Sequence, residues 1–236
     1  MGLTDDLAPS GVLRASINLG NPVLAQGTAA DPRGVTVDLA RDLAARLGLP
    51  LRLLCFDAAR DSFAAVRDGD ADLCFLAVEP AREADVAFSA PYAVLEGVYA
   101  ARTGSGVSTA HDVDRPGVRV GVKAGSAYDL YLARTLRYAT IERGAEGTAV
   151  AVELDLGVAA GIRTPLTAWV ADRSEWRVLE PAFMQIQQAI GVPRNRSDAT
   201  LQWLRDYVEA RKKDGFVAGA LARSGRTDAQ VAPAAG

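Results

Sequence analysis

Three consecutive stretches leave little choice of architecture. LRLLCF (51–56) and ADLCFLAV (71–78) are apolar runs of strand length, and DSFAAVRDG (61–69) between them places Phe63 and Val66 on one helical face before Gly69 ends it. Strands that are apolar at nearly every position are covered on both faces, as parallel strands under helices are. A strand, helix, strand order then predicts a parallel pair joined by a right-handed crossover. Sheets of this kind bind ligands beyond the carboxyl ends of their strands.

The same grammar extends in both directions. VLRASINLG (12–20) reads as a strand closed by Gly20-Asn21-Pro22. VTVDLARDLAARLGLP (35–50) is a helix with Leu39, Leu43 and Leu47 on one face beside Ala40 and Ala44, stopped by Gly48 and Pro50. FSAPYAVLEGVYAAR (88–102) is a long extended run leaving this unit, and TGSGVSTAHDVDRPG (103–117) is a polar connector. A second α/β unit follows: VRVGV as a strand, Ala124-Gly125-Ser126 as a tight turn and SAYDLYLARTL as a helix. AVAVELDLGVAAGI then alternates again before a helix at TPLTAWVAD and a strand at WRVLE. In the tail, SDATLQWLRDYVEARKKDG carries Leu201, Leu204 and Val208 at helical spacing, an amphipathic helix expected to pack on the first unit, while RTDAQVAPAAG (226–236) reads as a loose end. Trp169, Trp176 and Trp203 fall in structured segments and are read as packing residues.

Composition narrows the function. With 236 residues and 49% hydrophobic content the chain has ample material for a core, as one large domain or two small ones. A formal net charge of -3 lacks the basic footprint of a nucleic-acid or anionic-membrane binder. No apolar segment approaches the roughly 20 residues that span a bilayer. Of the 26 basic residues only Lys123, Lys212 and Lys213 are lysine, so a single arginine is weak evidence of a site. Cys55 and Cys74 lie in apolar strands and are expected to be free thiols, and the lone histidine, His111, sits in the polar connector, so neither metal nor cofactor is expected. The start MGLTDDLAPSG has no secretory apolar region. Met1 as the native start implies a cytoplasmic protein; a trimmed export signal implies a periplasmic one.

In order, VLRASINLGNPV, GVTVDLARDLAARLG, AAVRDGDADLCF, VEPAREADVAFSAPY and VRVGVKAGSAYDLYL resemble the solute-binding proteins of polar amino-acid ABC transporters, the bacterial extracellular solute-binding protein family 3. The resemblance covers nearly the whole chain. It implies the periplasmic-binding-protein type II fold: an α/β protein of two lobes, each a mainly parallel sheet flanked by helices, with a ligand cleft between them. Lobe 1 would be residues 1–94 and 189–236 and lobe 2 residues 95–188. Hinge closure over a small solute is the signal that an ABC permease reads.

The resemblance also assigns residues. An arginine at the position of Arg82 forks onto a ligand carboxylate, because the planar guanidinium presents parallel donors at the spacing of two oxygens. Backbone groups of Ala77 and Val78 and the amides of Ser126 and Ala127 at a helix N-terminus would complete an anion nest. Asn18 and Gln187 join the expected ligand set. Three positions depart from the family pattern. The aspartate that usually meets an ammonium falls on Arg163 in AAGIRTPLTAWV, the aromatic after the second strand falls on Arg60, and the aromatic of the first loop falls on Asn21. Glu79 would pair with one of the arginines or meet a ligand cation, the pairing being favoured because an unpaired buried carboxylate is costly.

The reading is therefore a non-enzymatic binding protein for a small anionic or zwitterionic solute, a monomer with no nucleic-acid partner and no membrane insertion. Two alternatives remain. Cyclohexadienyl dehydratases resemble these binding proteins, but Glu79 is the sole general acid that can be placed, without a second catalytic group. A cytosolic sensor domain of the same fold is the other, although no helix-turn-helix precedes residue 12.

Overall fold

The computed structural model describes residues 2–225 and 229–235. The chain forms two compact units, Met1–Val94 with Gln187–Gly236 and Leu95–Ile186. The first unit begins with helix α1 (Leu3–Leu7), strand β1 (Leu13–Asn18), a short pair β2 (Gln26–Gly27) and β3 (Pro32–Arg33), helix α2 (Val35–Leu47), strand β4 (Leu51–Phe56), helix α3 (Ala59–Arg67) and strand β5 (Leu73–Ala77). Strand β6 (Val86–Arg102) carries the chain into the second unit, which contains β7 (Arg119–Lys123), α4 (Ala127–Thr135), β8 (Thr140–Gly144), α5 (Gly147–Glu153), β9 (Val158–Ile162), α6 (Arg163–Ala171) and β10 (Trp176–Val178). Strand β11 (Met184–Pro193) returns it to the first unit, followed by α7 (Asp198–Lys213), α8 (Phe216–Arg223) and β12 (Gln230–Val231).

In the first unit the strand order is β4-β1-β5-β11-β6. Strand β1 runs parallel to both β4 and β5, as the crossover argument requires, and β11 is antiparallel to β5, with Gln188 opposite Ala77 and Gly191 opposite Cys74. Every residue of β5 is buried. The expectation that LRLLCF is equally buried is corrected: β4 is the outer strand, its side chains are half-buried and Arg52 is exposed. A strand with one neighbour cannot be covered as a central one is. Beneath the sheet, Val66, Cys74, Leu76, Val86, Phe88 and Ala189 make one buried cluster, with Phe56, Phe63 and Val78 packed against it. Burial raises the Cys74 thiol to about 12, which leaves it an inert core group. Both cysteines are free, Cys55 half-buried.

Strand register in this unit is pinned by Asp72. Its side chain has no exposure; Oδ1 accepts from Arg14 Nη2 at 2.6 Å, and Oδ2 accepts from Arg14 Nε at 3.1 Å and the Arg14 backbone N–H at 2.8 Å. The start of β1 is thus tied to the start of β5 by a bidentate pair, the strongest form of side-chain ion pair.

Helix α7 packs on the first unit, as its pattern predicts. Ser197 caps it, accepting from the Thr200 N–H at 3.2 Å, and Asp6 accepts from the Ser197 N–H at 2.9 Å and its hydroxyl at 2.8 Å. The Tyr207 hydroxyl donates to the Leu39 carbonyl of α2 at 3.1 Å, and Trp203 stacks on Tyr207 at 5.7 Å. The tail is a correction to the loose end read from sequence, apart from residues 226–228 and 236, which lie outside the described residues. Gln230 and Val231 pair with Val94 and Ala93 of β6, and the Ala232 N–H donates to the Tyr92 carbonyl at 3.1 Å. Lys212 holds this segment down: its ammonium donates to the carbonyls of Pro91 (3.2 Å) and Pro233 (2.7 Å) and meets the Glu209 carboxylate at 2.6 Å. Three acceptors in three directions suit a tetrahedral ammonium and not a planar fork.

The second unit has strand order β6-β9-β7-β8, with β7 parallel to β8 and β9 and β6 antiparallel to β9. The stretch AVAVELDLGVAAGI resolves into the end of α5, a turn at Leu154 to Gly157 and β9. Helix α5 lies so close to β7 that a Cβ on Gly121 would stand 2.4 Å from the Gly147 carbonyl, and one on Gly147 would stand 2.7 Å from the Gly121 carbonyl. Val98, Ala100, Ala151, Ala159, Leu166 and Trp176 form the core, and Trp169 meets Trp176 edge-on at 5.0 Å. His111 lies in an exposed single helical turn. No sequence pattern above marks α1, β2, β3, β8 or α8.

Two stability measurements follow. Asp72→Ala strands the Arg14 guanidinium and a backbone N–H, and should lower unfolding free energy by about 3 kcal/mol in urea titrations; a loss below about 1 kcal/mol would show that the pair does not hold the strands. Lys212→Met should cost about 1 to 2 kcal/mol and speed hydrogen exchange at the Ala232 amide, with Lys212→Arg failing to restore protection. Unchanged exchange at Ala232 would refute the anchoring role.

Candidate functional site

The parallel strands of the first unit deliver several of the predicted residues to one edge of its sheet. Asn18, the last residue of β1, is level with Phe56, the last of β4, and Ser16 is level with Cys74 of β5. The segments that follow these three strand ends carry Asn21, Arg60 and the run Ala77 to Arg82. Asn18 Oδ1 accepts from the Gly20 N–H at 3.1 Å, and Asn21, which is buried, accepts from the Val23 N–H at 3.2 Å. Both asparagines shape their own loop, as short polar side chains in turns do. Arg60 lies in the first turn of α3, more than half exposed, with Nε 3.4 Å from Asp61.

Arg82 is not a surface arginine. Only 3% of it is exposed, and Nη1 donates to the Ala77 carbonyl, the last of β5, at 2.9 Å. The chain turns tightly to put it there: the Arg82 N–H donates to the Glu79 carbonyl at 2.8 Å, and the Arg82 carbonyl accepts from Val86 at 3.0 Å. Burial pulls the guanidinium below its ordinary pKa, while Cys74 and Glu79 push the other way. Glu79 is itself 2% exposed, so a buried acid and a buried base sit within one turn at the strand mouth. The Val78 N–H, expected to face an anion, donates to the Gln187 carbonyl at 2.9 Å, which takes up that donor, while the Gln187 side chain is exposed.

In the second unit, Ser126 and Ala127 stand at the N-terminus of α4. Ser126 Oγ accepts from the Asp129 N–H at 3.1 Å, and Asp129 Oδ2 accepts from the Gly125 N–H at 2.9 Å. The helix start is therefore closed in part by its own acid, which Arg143 pairs at 2.9 Å. Arg163 opens α6 and is matched by two carboxylates. Its Nη1 and Nη2 donate to Glu180 at 2.6 and 2.9 Å, and its Nε donates to Glu96. The hydrogen bonds Arg163 donates to Glu180 raise the Arg163 pKa well above its ordinary value against a smaller burial effect, and Glu180 is lowered in return. Neither glutamate was anticipated: they lie 67 and 17 residues away in sequence, and no local pattern marks the contact.

Among the described residues no group of three or more His, Cys, Asp or Glu side chains is placed to hold a metal ion, and no helix is long and apolar enough to cross a membrane.

Solved structures share this fold over nearly the whole chain. A cysteine-binding protein from Campylobacter jejuni superposes with a TM-score of 0.78 at 15% identity, covering 99% of this chain and 100% of its own. Holo ArgBP from T. maritima gives 0.71 at 21%, covering 91% and 96%. The ancestral amino acid-binding protein AncCDT-1, a precursor of cyclohexadienyl dehydratase, gives 0.75 at 18%, covering 94% and 99%. No curated protein sequence matches significantly. Residues 18–223 match the family model of the bacterial extracellular solute-binding proteins, family 3. With that match running from the end of β1 to the end of α8, the chain belongs to the bacterial extracellular solute-binding proteins of family 3.

Proposed function

We propose that the protein is the solute-binding component of an ABC-type uptake system and that its solute carries a carboxylate, as an amino acid or a small organic acid does. The observation that carries this reading is Arg82, buried just past the mouth of a central parallel strand and oriented by the Ala77 carbonyl. Beyond a strand end is where ligands of such sheets collect, and a guanidinium is the group whose donors match two carboxylate oxygens. Between the two solute classes, the charges favour an amino acid over a dianion. Arg163 is already matched by Glu96 and Glu180, so it brings no net positive charge for a second carboxylate. The cysteine-binding relative and AncCDT-1, by their names, take amino acids.

A catalytic reading draws on AncCDT-1 and on Glu79, a buried acid beside Arg82. We favour binding, because the group placed within one turn of Glu79 is Arg82, a guanidinium that stays protonated and is a poor partner for proton transfer. Phenylpyruvate formed from prephenate would reverse that preference.

Thermal-shift screening followed by calorimetry tests the proposal. Amino acids should raise the melting temperature, and their decarboxylated amines should not. Arg82→Ala should weaken the best solute by about 100-fold or more, and Arg82→Lys should recover only part of that, because a bidentate charged contact is lost. Equal affinity for a solute and its decarboxylated amine would end the carboxylate reading, as would an Arg82→Ala protein that binds normally.

A further inference from the structure

The first unit holds a second group of arginines that the solute reading does not use. Arg194, Arg196 and Arg205 line one cavity of about 440 Å³, walled by the first half of β6, the segment after β11 and the opening turns of α7. Phe88 and Leu201 give it an apolar side, and Arg82 is not among its walls. The three arginines reach it from two segments, Arg194 and Arg196 from the one after β11 and Arg205 from α7, and are differently held. Arg194 Nη1 donates to the Glu83 carbonyl at 2.5 Å. The Arg196 side chain is 15% exposed; its nearest carboxylate, 3.8 Å away, is Asp72, whose oxygens Arg14 already takes. Arg196 Nε is buried with no hydrogen-bond partner among the described residues. Arg205 belongs to no ion pair among the described residues.

An orphaned guanidinium donor out of water is unfavourable by itself, and like charges gathered around one cavity add to that. The walls also contain Glu83 and Asp198, so the lining carries three positive charges against two negative, yet among the described residues neither acid forms an ion pair with these arginines. An oxyanion in the cavity would neutralise the excess positive charge of the arginines that line it. We propose that this cavity is a second binding site, for a small carboxylate- or phosphate-bearing molecule with a short apolar body. It shares Val78 and Gln187 with the residues assigned to the solute but not Arg82, so the two sites are separable by mutation.

The test is titration of the full chain at low salt with citrate and, separately, inorganic phosphate, read from the arginine Nε–H signals in nitrogen-15 spectra. Saturable shifts at Arg194, Arg196 and Arg205 below about 10 mM are expected with at least one anion, and whichever binds tighter identifies the group. Arg205→Gln, on an exposed face of α7, should weaken that binding by about tenfold, and Arg196→Gln should do the same with its fold checked by circular dichroism. Arg82→Ala should leave it unchanged. Absence of saturable shifts with both anions overturns the proposal. So does binding that survives Arg205→Gln and Arg196→Gln, or binding that disappears with Arg82→Ala, which would return the anion to the solute site. Because the solute reading is scored by Arg82→Ala and this one by Arg205→Gln, either can fail alone.

Discussion

A carboxylate with no access to water organises the first unit. Asp72 sits one residue before β5 and binds both the backbone and the side chain of Arg14 at the start of β1. Because side chains alternate along a strand, a slip of one residue would carry every side chain of β5 to the opposite face of the sheet. The pair fixes the register instead, and the register fixes where β5 ends. Ala77 is that end, its carbonyl orients Arg82, and the whole strand-mouth arrangement is inherited from a contact at the opposite end of the strand.

The arginines divide by what the fold has done with them. At Arg163 two glutamates converge on one guanidinium, making a local charge of minus one at the position where the family pattern has an aspartate and this sequence an arginine. At Arg82 burial dominates, with the buried Glu79 one turn away. In the cavity lined by Arg196 the nearest acid is already occupied. A chain that uses arginine as its default cation thus contains neutralised, buried and under-satisfied examples, and composition cannot tell them apart.

The architecture was legible because periodicity and punctuation are local. Gly48, left-handed at φ 65, ends α2 where the sequence says it must, and the uninterrupted apolar run of β5 could only be a covered strand. What the sequence concealed was set by distance along the chain. LRLLCF looks like ADLCFLAV, but one became an outer strand and the other a central one, a difference that depends on which strands arrive beside them. The tail was misread because QVAP has little strand character of its own; its order comes from β6 and from Lys212. Arg82 stands out as a candidate from its position after a strand and from the family resemblance, whereas Glu96 and Glu180 do not, since their tie to Arg163 is spatial.

The scarcity of lysine has a practical side. Lys212 is spent on three acceptors and almost wholly enclosed, and Lys123 is largely covered and paired with Glu146 at 2.6 Å. Lys213, exposed at the last turn of α7, is left as the one lysine amine open to acylation. An amine-reactive dye would therefore mark that turn ahead of the other lysines, giving a reporter at a defined place without any engineered cysteine.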